Sequence, residues 1–314
     1  MDQKNYHMHQ DKKYHAKLMI AGEYGVIAGS NALTIPLPLF NAQLKNQSDA
    51  DNNKFDSIAA SVSSLRKLIT YISALPKNSF YAKPEIKKLG NILSSGFFID
   101  STIPNGYGIG SSGAVSALIY DQFFTRKENL ELQQIHKDLA AIESCFHGKS
   151  SGVDAMACYI HAPLHFLNNG TINILNQDPI KQNTAYSFFL LDSGKIFETG
   201  PLVSFFLENM KDETFIRKIK GEYLPLIKKL INALINKTDT SIAILYKAIS
   251  EFQYKNFERM IPQNIENIWL EGILNNIYYL KLNGSGGGFV LGMTLRDNQS
   301  VVEDILKDFD LTWL

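Results

Sequence analysis

A glycine-rich stretch, PNGYGIGSSGAVS (residues 104–116), leads directly into an apolar segment. Its glycines leave backbone N–H groups uncovered, and Ser111 and Ser112 stand where a helix would begin. The first N–H groups of a helix are unpaired and the helix dipole is positive there, so such a loop is suited to bind an anion. The spacing therefore predicts a phosphate-binding loop that runs into a helix.

Three charged residues lie in or beside apolar sequence, where an unpaired buried charge costs free energy. Lys17 begins the strand KLMIA, Glu143 borders an apolar helical stripe, and Asp154 heads the run AMACYI. Taken singly, Lys17 could face solvent, Glu143 could form a salt bridge, and Asp154 could cap a helix. With the glycine loop they form a set suited to phosphoryl transfer: a phosphate cradle, oxygen ligands for Mg²⁺, a base and a positive charge.

Other glycine motifs offer alternatives. GIGSSG (108–113) fits the dinucleotide-binding pattern G-x-G-x-x-G, but PNGY separates it from the preceding strand, and no suitably placed acid follows. GKS (148–150) resembles the end of a Walker A loop, yet Glu143 occupies the position that would need glycine. A second glycine run, NGSGGG (283–288), is either a bulge or a further part of the anion pocket.

Periodicity indicates the elements that position these residues. It predicts a strand from Lys17, a turn at Gly22 and a returning strand, followed by a loop over 44–56. Helices are predicted over 57–75, over 130–146 and directly after the glycine loop, and in the second half over 212–236, 240–256 and 263–279. Strands are predicted over 96–104, over 187–194 and after the second glycine run. This pattern is mixed α/β, with a domain boundary near residue 181.

Composition excludes several classes of protein. The 314 residues have no formal net charge and only five arginines, which argues against nucleic-acid binding. Two cysteines, Cys145 and Cys158, match neither a disulfide framework nor a zinc spacing. No apolar run is long enough to span a membrane, and residues 1–15 are too polar for a signal peptide. We therefore expect a cytoplasmic protein.

Five motifs, taken in order, resemble those of the GHMP kinases, which include galactokinases, homoserine kinases, mevalonate kinases and phosphomevalonate kinases. KLMIAGEYGVIAG, PNGYGIGSSGAVS and LNGSGGGFVLGMTL resemble the three motifs of the family. ESCFHGKSSGVD and LLDSGKIFETGPLV are similar to segments of the mevalonate kinase subfamily. The resemblance spans nearly the whole chain.

The resemblance implies a two-domain α/β (α+β) fold. It has a ribosomal-protein-S5-like domain over 1–180 and a ferredoxin-like domain with extra helices over 181–314. It also implies ATP and Mg²⁺ as cofactors, with Asp154 as base and Lys17 as the stabilising cation. The ATP-binding residues would be Pro104, Gly106, Gly108, Gly110, Ser111, Ser112 and Gly113, the metal ligands Ser112 and Glu143, and the substrate residues Glu23, Tyr24, His147, Gly152, Thr199 and Gly286.

The chain departs from the family pattern at two positions. Many mevalonate kinases have histidine where this chain has Tyr24, which leaves the identity of the acceptor open. The second motif of the family usually has alanine where this chain has Gly113, which should not prevent phosphate binding. No arginine falls within the motifs, which favours an unphosphorylated acceptor, although Lys149 and Lys195 leave a phosphate clamp open. We expect the acceptor to be mevalonate. The alternatives are phosphomevalonate or another acceptor, or a non-catalytic metabolite-binding relative. The helical stretches over 212–279 could serve either a homodimer or the core.

Overall fold

The structure is a computed structural model that describes residues 11–50, 54–237 and 239–314. Most of the polar amino-terminal stretch, for which we predict no signal peptide, lies outside the described residues. None of the described helices is both long and apolar enough to cross a membrane. The described chain contains both strands and helices in each half, which confirms the mixed α/β class.

The strands of the described residues are β1 (Tyr14–Ala21), β2 (Ala32–Asn46), β3 (Lys83–Pro84), β4 (Phe97–Ser101), β5 (Phe124–Thr125), β6 (Leu164–Phe166), β7 (Ile172–Ile174), β8 (Tyr186–Asp192), β9 (Tyr278–Leu282), β10 (Phe289–Leu295) and β11 (Leu311–Trp313). Almost every residue of β1, β8, β9 and β10 is buried. In β8 and β10, which have a neighbouring strand on each side, this burial is typical of strands covered on both faces.

The helices are α1 (Phe55–Ala74), α2 (Ile86–Ser94), α3 (Ser111–Phe123), α4 (Leu132–His147), α5 (Val153–Ile160), α6 (Thr199–Asn209), α7 (Glu213–Lys218), α8 (Leu224–Asn236), α9 (Asp239–Asn256), α10 (Glu266–Asn275) and α11 (Gln299–Ile305). Helix α4 begins with a capping box formed by Glu131 and Gln134. It ends at Gly148, which has φ of 77°. Its apolar stripe and both of its ends therefore agree with the sequence pattern.

The described chain forms two compact units. The first comprises residues 11–16, Leu37–Ile103 and Gly110–His161, and the second comprises Lys17–Pro36, Pro104–Ile109 and Ala162–Leu314. The predicted domains, 1–180 and 181–314, are two continuous ranges, whereas each of these units is assembled from several segments of the chain. The predicted domains stay a prediction.

The first unit is mainly helical. Helix α3 packs against both α4 and α5, and its buried small residues Ala114 and Ala117 permit this close approach. The carboxyl-terminal part of β2 pairs antiparallel with β4, in register from Ala42 opposite Ser101 to Asn46 opposite Phe97. Together these elements hold the start of α3, where the predicted phosphate loop ends, beside α4 and α5.

The second unit is built on an antiparallel sheet of order β11–β8–β10–β9. Helices α9 and α10 pack on β9, and α8 packs on α9. Tyr246 of α9 is fully buried and donates a hydrogen bond to the carbonyl oxygen of Leu291 in β10. Trp269 of α10 is also fully buried, and its indole N–H donates to Ser250. The core of this unit therefore lies between the sheet and these helices.

Three sequence-based boundaries need correction. The predicted helix over 263–279 ends at Asn275, because Asn276 adopts a left-handed conformation with φ of 57° and β9 follows. The predicted helix over 212–236 is interrupted by a π-helical turn, Ile219–Tyr223. The predicted loop over 44–56 is shorter, because β2 continues to Asn46 and α1 begins at Phe55.

Candidate active site

Lys17 is attached to the glycine loop within the second unit. It lies on β1, is 0% exposed, and donates from Nζ to the carbonyl oxygen of Gly108 at 3.0 Å. Its backbone N–H donates to the carbonyl oxygen of Ile109, also at 3.0 Å. Burial excludes the solvent-facing alternative for this lysine. A positive charge therefore lies directly against the loop predicted to bind phosphates.

The two glycine runs contact each other in this unit. A Cβ atom at Gly108, where φ is 73°, would lie 2.0 Å from the carbonyl oxygen of Asn283. A Cβ at Gly284 would in turn lie 2.7 Å from the carbonyl oxygen of Gly108. Only glycine combines this left-handed backbone with such close approach. The second glycine run therefore packs against the first. Gly106, which precedes Gly108 on the first loop, also has a positive φ, of 75°.

Glu23 is paired with a lysine that the sequence analysis missed. Lys281 on β9 is fully buried and donates to Oε1 of Glu23, and also to the carbonyl oxygens of Met19 and Leu282 at 3.0 and 2.7 Å. Burial raises the pKa of the Glu23 carboxyl, and the charge of Lys281 opposes this shift. The Glu23 side chain is only 1% exposed, so its pairing with Lys281 anchors the turn after β1 in the core.

Tyr24 belongs to a small hydrogen-bonded cluster. Its hydroxyl donates to the carbonyl oxygen of Ser285 at 2.6 Å, and its ring lies 4.8 Å from that of Phe206. The hydroxyls of Thr199 and Ser285 are 3.0 Å apart. Gly286 follows, and a Cβ there would meet the carbonyl oxygen of Met260 at 2.3 Å. Three predicted substrate residues, Tyr24, Thr199 and Gly286, are thus gathered around Ser285.

Tyr24 also adopts an unusual backbone. Its φ is 58°, a left-handed value that costs about 1–2 kcal/mol for a residue with a side chain. The hydrogen bond to Ser285 and the aromatic packing fix this conformation. Burial raises the pKa of Tyr24, so its hydroxyl stays protonated and able to donate.

In the first unit, the start of α3 holds the predicted metal ligands. Glu143 on α4 is 3% exposed and accepts hydrogen bonds from Ser112 Oγ at 3.1 Å and from Ser150 Oγ at 2.5 Å. His147 Nε2 lies 2.8 Å from the same Ser112 oxygen. Burial lowers the pKa of His147, and the charge of Asp154 partly opposes this. The imidazole is therefore favoured in its neutral form.

The Ser112 and Glu143 oxygens fit Mg²⁺ chemically. Magnesium prefers oxygen ligands, and it is usually held by one or two carboxylates with phosphates and water completing its shell. Among the residues that the structure describes, no group of three or more His, Cys, Asp or Glu side chains could hold a metal by itself.

Asp154 lies in the first turn of α5, after Gly152 at the N-cap with φ of 75°. The positive end of the helix dipole stabilises a carboxylate at this position. A Cβ at Gly152 would lie 2.7 Å from the Ala140 side chain, and one at Gly113 would lie 2.8 Å from the Asp154 backbone. Gly113, which departs from the family pattern, therefore permits α3 and α5 to approach each other closely.

The remaining predicted residues frame the loop. Pro104 precedes it in the second unit, and Gly110 adopts a left-handed conformation, with φ of 81°, as the N-cap of α3 in the first unit. Ser111 is the first residue of that helix. The predicted loop therefore passes from one unit to the other and ends at a helix N-terminus, as its sequence indicates.

The family and fold comparisons agree with the motifs. Residues 79–161 match the sequence model of the GHMP kinases N terminal domain. Comparison of the sequence with curated proteins gives no match. The resemblance to GHMP kinases is therefore confirmed by a family model that matches this part of the chain.

Solved structures extend the similarity of fold to 96% of the chain. The chain is similar to a mevalonate kinase from Methanococcus jannaschii (TM-score 0.59, 16% identity, 96% of that chain covered). It is similar to a Lactococcus lactis galactokinase complexed with galactose (TM-score 0.66, 12% identity, 91% covered). It is also similar to a Streptococcus pneumoniae phosphomevalonate kinase in complex with phosphomevalonate and AMPPNP (TM-score 0.61, 12% identity, 99% covered). The fold is therefore that of the GHMP kinases.

Proposed function

We propose that this protein is a cytoplasmic, ATP-dependent kinase that transfers the γ-phosphoryl group of ATP to the primary hydroxyl of mevalonate. The observation that carries the proposal is the contact of buried Lys17 with the Gly108 carbonyl, 3.0 Å from Nζ. A lysine held against a glycine loop that ends at a helix N-terminus is suited to neutralise phosphate charge. The three solved structures named above are kinases with different acceptors. Their similarity therefore supports phosphoryl transfer as the reaction class, but it does not select mevalonate among the acceptors.

The residues of the chain divide the work of phosphoryl transfer. Backbone N–H groups from Gly106 to Gly113 bind the phosphates, and Lys17 stabilises the negative charge of the transferred group. Asp154 accepts the proton of the acceptor hydroxyl. Ser112 and Glu143 would hold Mg²⁺, and the ion would supply positive charge to neutralise the phosphate oxygens. Positioning and charge neutralisation supply most of the catalysis that this reaction needs.

The acceptor is held by the remaining residues of the set. In the second unit, Tyr24, Thr199 and Gly286 hold the acceptor, with Glu23 fixing the turn that carries Tyr24. His147 and Gly152 border Ser112 and Asp154, where the reacting hydroxyl is activated. The hydrogen-bonded cluster around Ser285 supports the assignment of Tyr24 and Thr199, because it gives their side chains fixed positions.

A panel of acceptors tests the proposal. Purified protein is assayed for ADP release with mevalonate, phosphomevalonate, homoserine and galactose, each with ATP and Mg²⁺. We expect turnover with mevalonate to exceed that with the other three. Preferred turnover of phosphomevalonate would replace mevalonate as the acceptor. Nucleotide binding without turnover of any acceptor would instead favour a non-catalytic metabolite-binding relative.

A further inference from the structure

The second unit contains a cavity to which no function has been assigned above. Its volume is about 330 Å³, and it lies between the loop after β8, helix α6 and Arg259. Ile196, Phe197, Leu202 and Phe205 supply an apolar wall, and Glu198 and Arg259 supply opposite charges. The volume suits a small molecule that has both an apolar part and a charged group.

The wall of this cavity packs directly on both glycine runs. A Cβ at Gly106 would lie 2.5 Å from Ile196 Cγ2, and a Cβ at Gly287 would lie 2.7 Å from Phe197 Cβ. Thr199, which contacts Ser285, is the first residue of the helix that contributes Leu202 and Phe205. The cavity therefore adjoins the phosphate loop and the predicted substrate residues of the same unit.

Arg259 gives the cavity its positive group. The guanidinium carbon lies 4.5 Å from the centroid of the Phe205 ring, and the side chain is exposed. No carboxylate of the described residues forms an ion pair with it. The aromatic face restricts the guanidinium plane, and a planar guanidinium can donate two parallel hydrogen bonds to a carboxylate or phosphate. The group is thus prepared to bind an anion.

We propose that this cavity is an acceptor subsite in which Arg259 binds the anionic group of the acceptor and the apolar wall covers its carbon chain. This inference rests on the proposed kinase function and narrows its substrate class to small hydroxyl-bearing anions. Glu198 limits the subsite to one anionic group and can accept a hydrogen bond from a hydroxyl. Arg259 lies far from the motifs in sequence, but folding places it at their edge.

Binding measured by calorimetry, without turnover, tests the subsite. Arg259→Gln, Arg259→Lys and the wild type are titrated with mevalonate, with phosphomevalonate and with the uncharged triol 3-methylpentane-1,3,5-triol. We expect Arg259→Gln to weaken the binding of mevalonate by about 10- to 100-fold, since it removes hydrogen bonds to a charged group. Arg259→Lys should have a smaller effect, because it keeps the charge and loses the planar fork. The affinity for the triol should be unchanged.

Two further variants serve as controls. Arg217→Gln removes an exposed arginine of α7 in the same unit and should leave all three affinities unchanged. Glu198→Gln removes a negative charge from the cavity, so we expect it to strengthen mevalonate binding modestly, which is the opposite sign. Because Arg259 is exposed, its variants should fold, and thermal unfolding checks this directly.

The outcomes separate the subsite from the kinase function. An equal loss of affinity for the triol, or no loss for either anion, would overturn the subsite. A loss shared by mevalonate and phosphomevalonate assigns Arg259 to the carboxylate, and a loss confined to phosphomevalonate assigns it to the phosphate. If the wild type phosphorylates none of the panel while Arg259 still governs anion binding, the kinase proposal fails, and with it the role of the cavity as an acceptor subsite, while anion binding by Arg259 is retained.

Discussion

At the scale of single residues, two buried lysines of the second unit serve different purposes. Lys281 donates its three hydrogen bonds to Met19, Glu23 and Leu282, so its charge is paired within the core. Lys17 instead contacts the carbonyl of Gly108, on a loop whose N–H groups are suited to phosphate. A phosphate bound at this loop would gain the charge of Lys17, whereas Lys281 holds the turn at Glu23 in place.

Asp154→Asn tests the base at this scale. The amide keeps the size of the side chain but cannot accept a proton, so kcat should fall by about 10²–10⁴-fold, the usual contribution of a positioned base. ATP affinity should be nearly unchanged, because Asp154 is assigned to the acceptor hydroxyl. Steady-state kinetics and a fluorescent nucleotide titration measure the two quantities.

Asp56→Asn is a matched control for this substitution. Asp56 is an exposed acid in the first turn of α1, as Asp154 is in the first turn of α5. Its variant should show the same small loss of helix stabilisation and full activity. Wild-type kcat in Asp154→Asn would remove the base from the mechanism.

At the scale of elements, two glycine runs pack backbone against backbone. Gly108 meets Asn283, and Gly288 meets Tyr107, where a Cβ would lie 2.2 Å from Cα. Both contacts require glycine for space as well as for conformation. The loops therefore fix each other in the second unit, and Lys17 is held against the resulting surface.

Gly108→Ala and Gly29→Ala separate space from conformation. Both glycines have positive φ, 73° and 87°, but a Cβ at Gly29 has nothing within 4 Å. We expect Gly29→Ala to lower the free energy of unfolding by about 1–2 kcal/mol from backbone strain alone. Gly108→Ala should cost about 1–3 kcal/mol more from overpacking, and it should also abolish ATP binding.

Chemical denaturation and nucleotide titration measure these effects. Equal destabilisation by the two substitutions would show that the contact with Asn283 is not rigid. If Gly108→Ala binds ATP as tightly as the wild type, this loop does not bind the phosphates.

The elements differ in how far sequence could predict them. Helix α4 has an apolar stripe and clear end signals, so its existence and extent follow from local pattern. Helix α6 lies in TGPLVSFFLEN, where Gly200, Pro201 and a near-continuous apolar run hide the helical period. The sequence YYLKL reads equally well as helix or strand, and its pairing with β10 decides for the strand.

The candidate site shows the same limit. Lys17 and the glycine loop could be predicted because they combine unusual residue types with local spacing. Lys281 offered the same signal, a lysine within an apolar run, but its partner Glu23 lies 258 positions away in sequence. Arg259 offered no local signal, since its position beside Phe205 depends on tertiary packing.

At the scale of the whole molecule, burial controls the histidines. The pKa is lowered by burial for His15, His136, His147, His161 and His165, all of which lie in the described chain. The shift is largest for His161, whose pKa burial lowers to about 4. Its Nε2 is buried without a hydrogen-bond partner. Acid must therefore charge groups that the folded state holds neutral.

His161→Asn tests this origin of acid sensitivity. A pKa lowered in the folded state makes a contribution to stability that is fully present above the ordinary value of 6.5, and it is lost as pH falls toward about 4. Asparagine tolerates the φ of 58° at this position and does not titrate. The variant should therefore lose less unfolding free energy than the wild type across this range.

Urea unfolding at several pH values measures the slope. Lys237→Asn is the control, since it places asparagine at another left-handed position, φ of 57°, without removing a histidine. It should keep the wild-type slope. If His161→Asn leaves the dependence of the unfolding free energy on pH unchanged, the acid sensitivity comes from the other histidines.

The chain reaches its two units by alternation: the first unit is interrupted by Lys17–Pro36 and Pro104–Ile109, and the second by the segments between them. Neither unit is encoded by one uninterrupted stretch of gene. A recombinant fragment cut after His161 would include two pieces whose native neighbours come from the missing half. Recombination between relatives at the same point would likewise take Lys281 and its partner Glu23 from different parents.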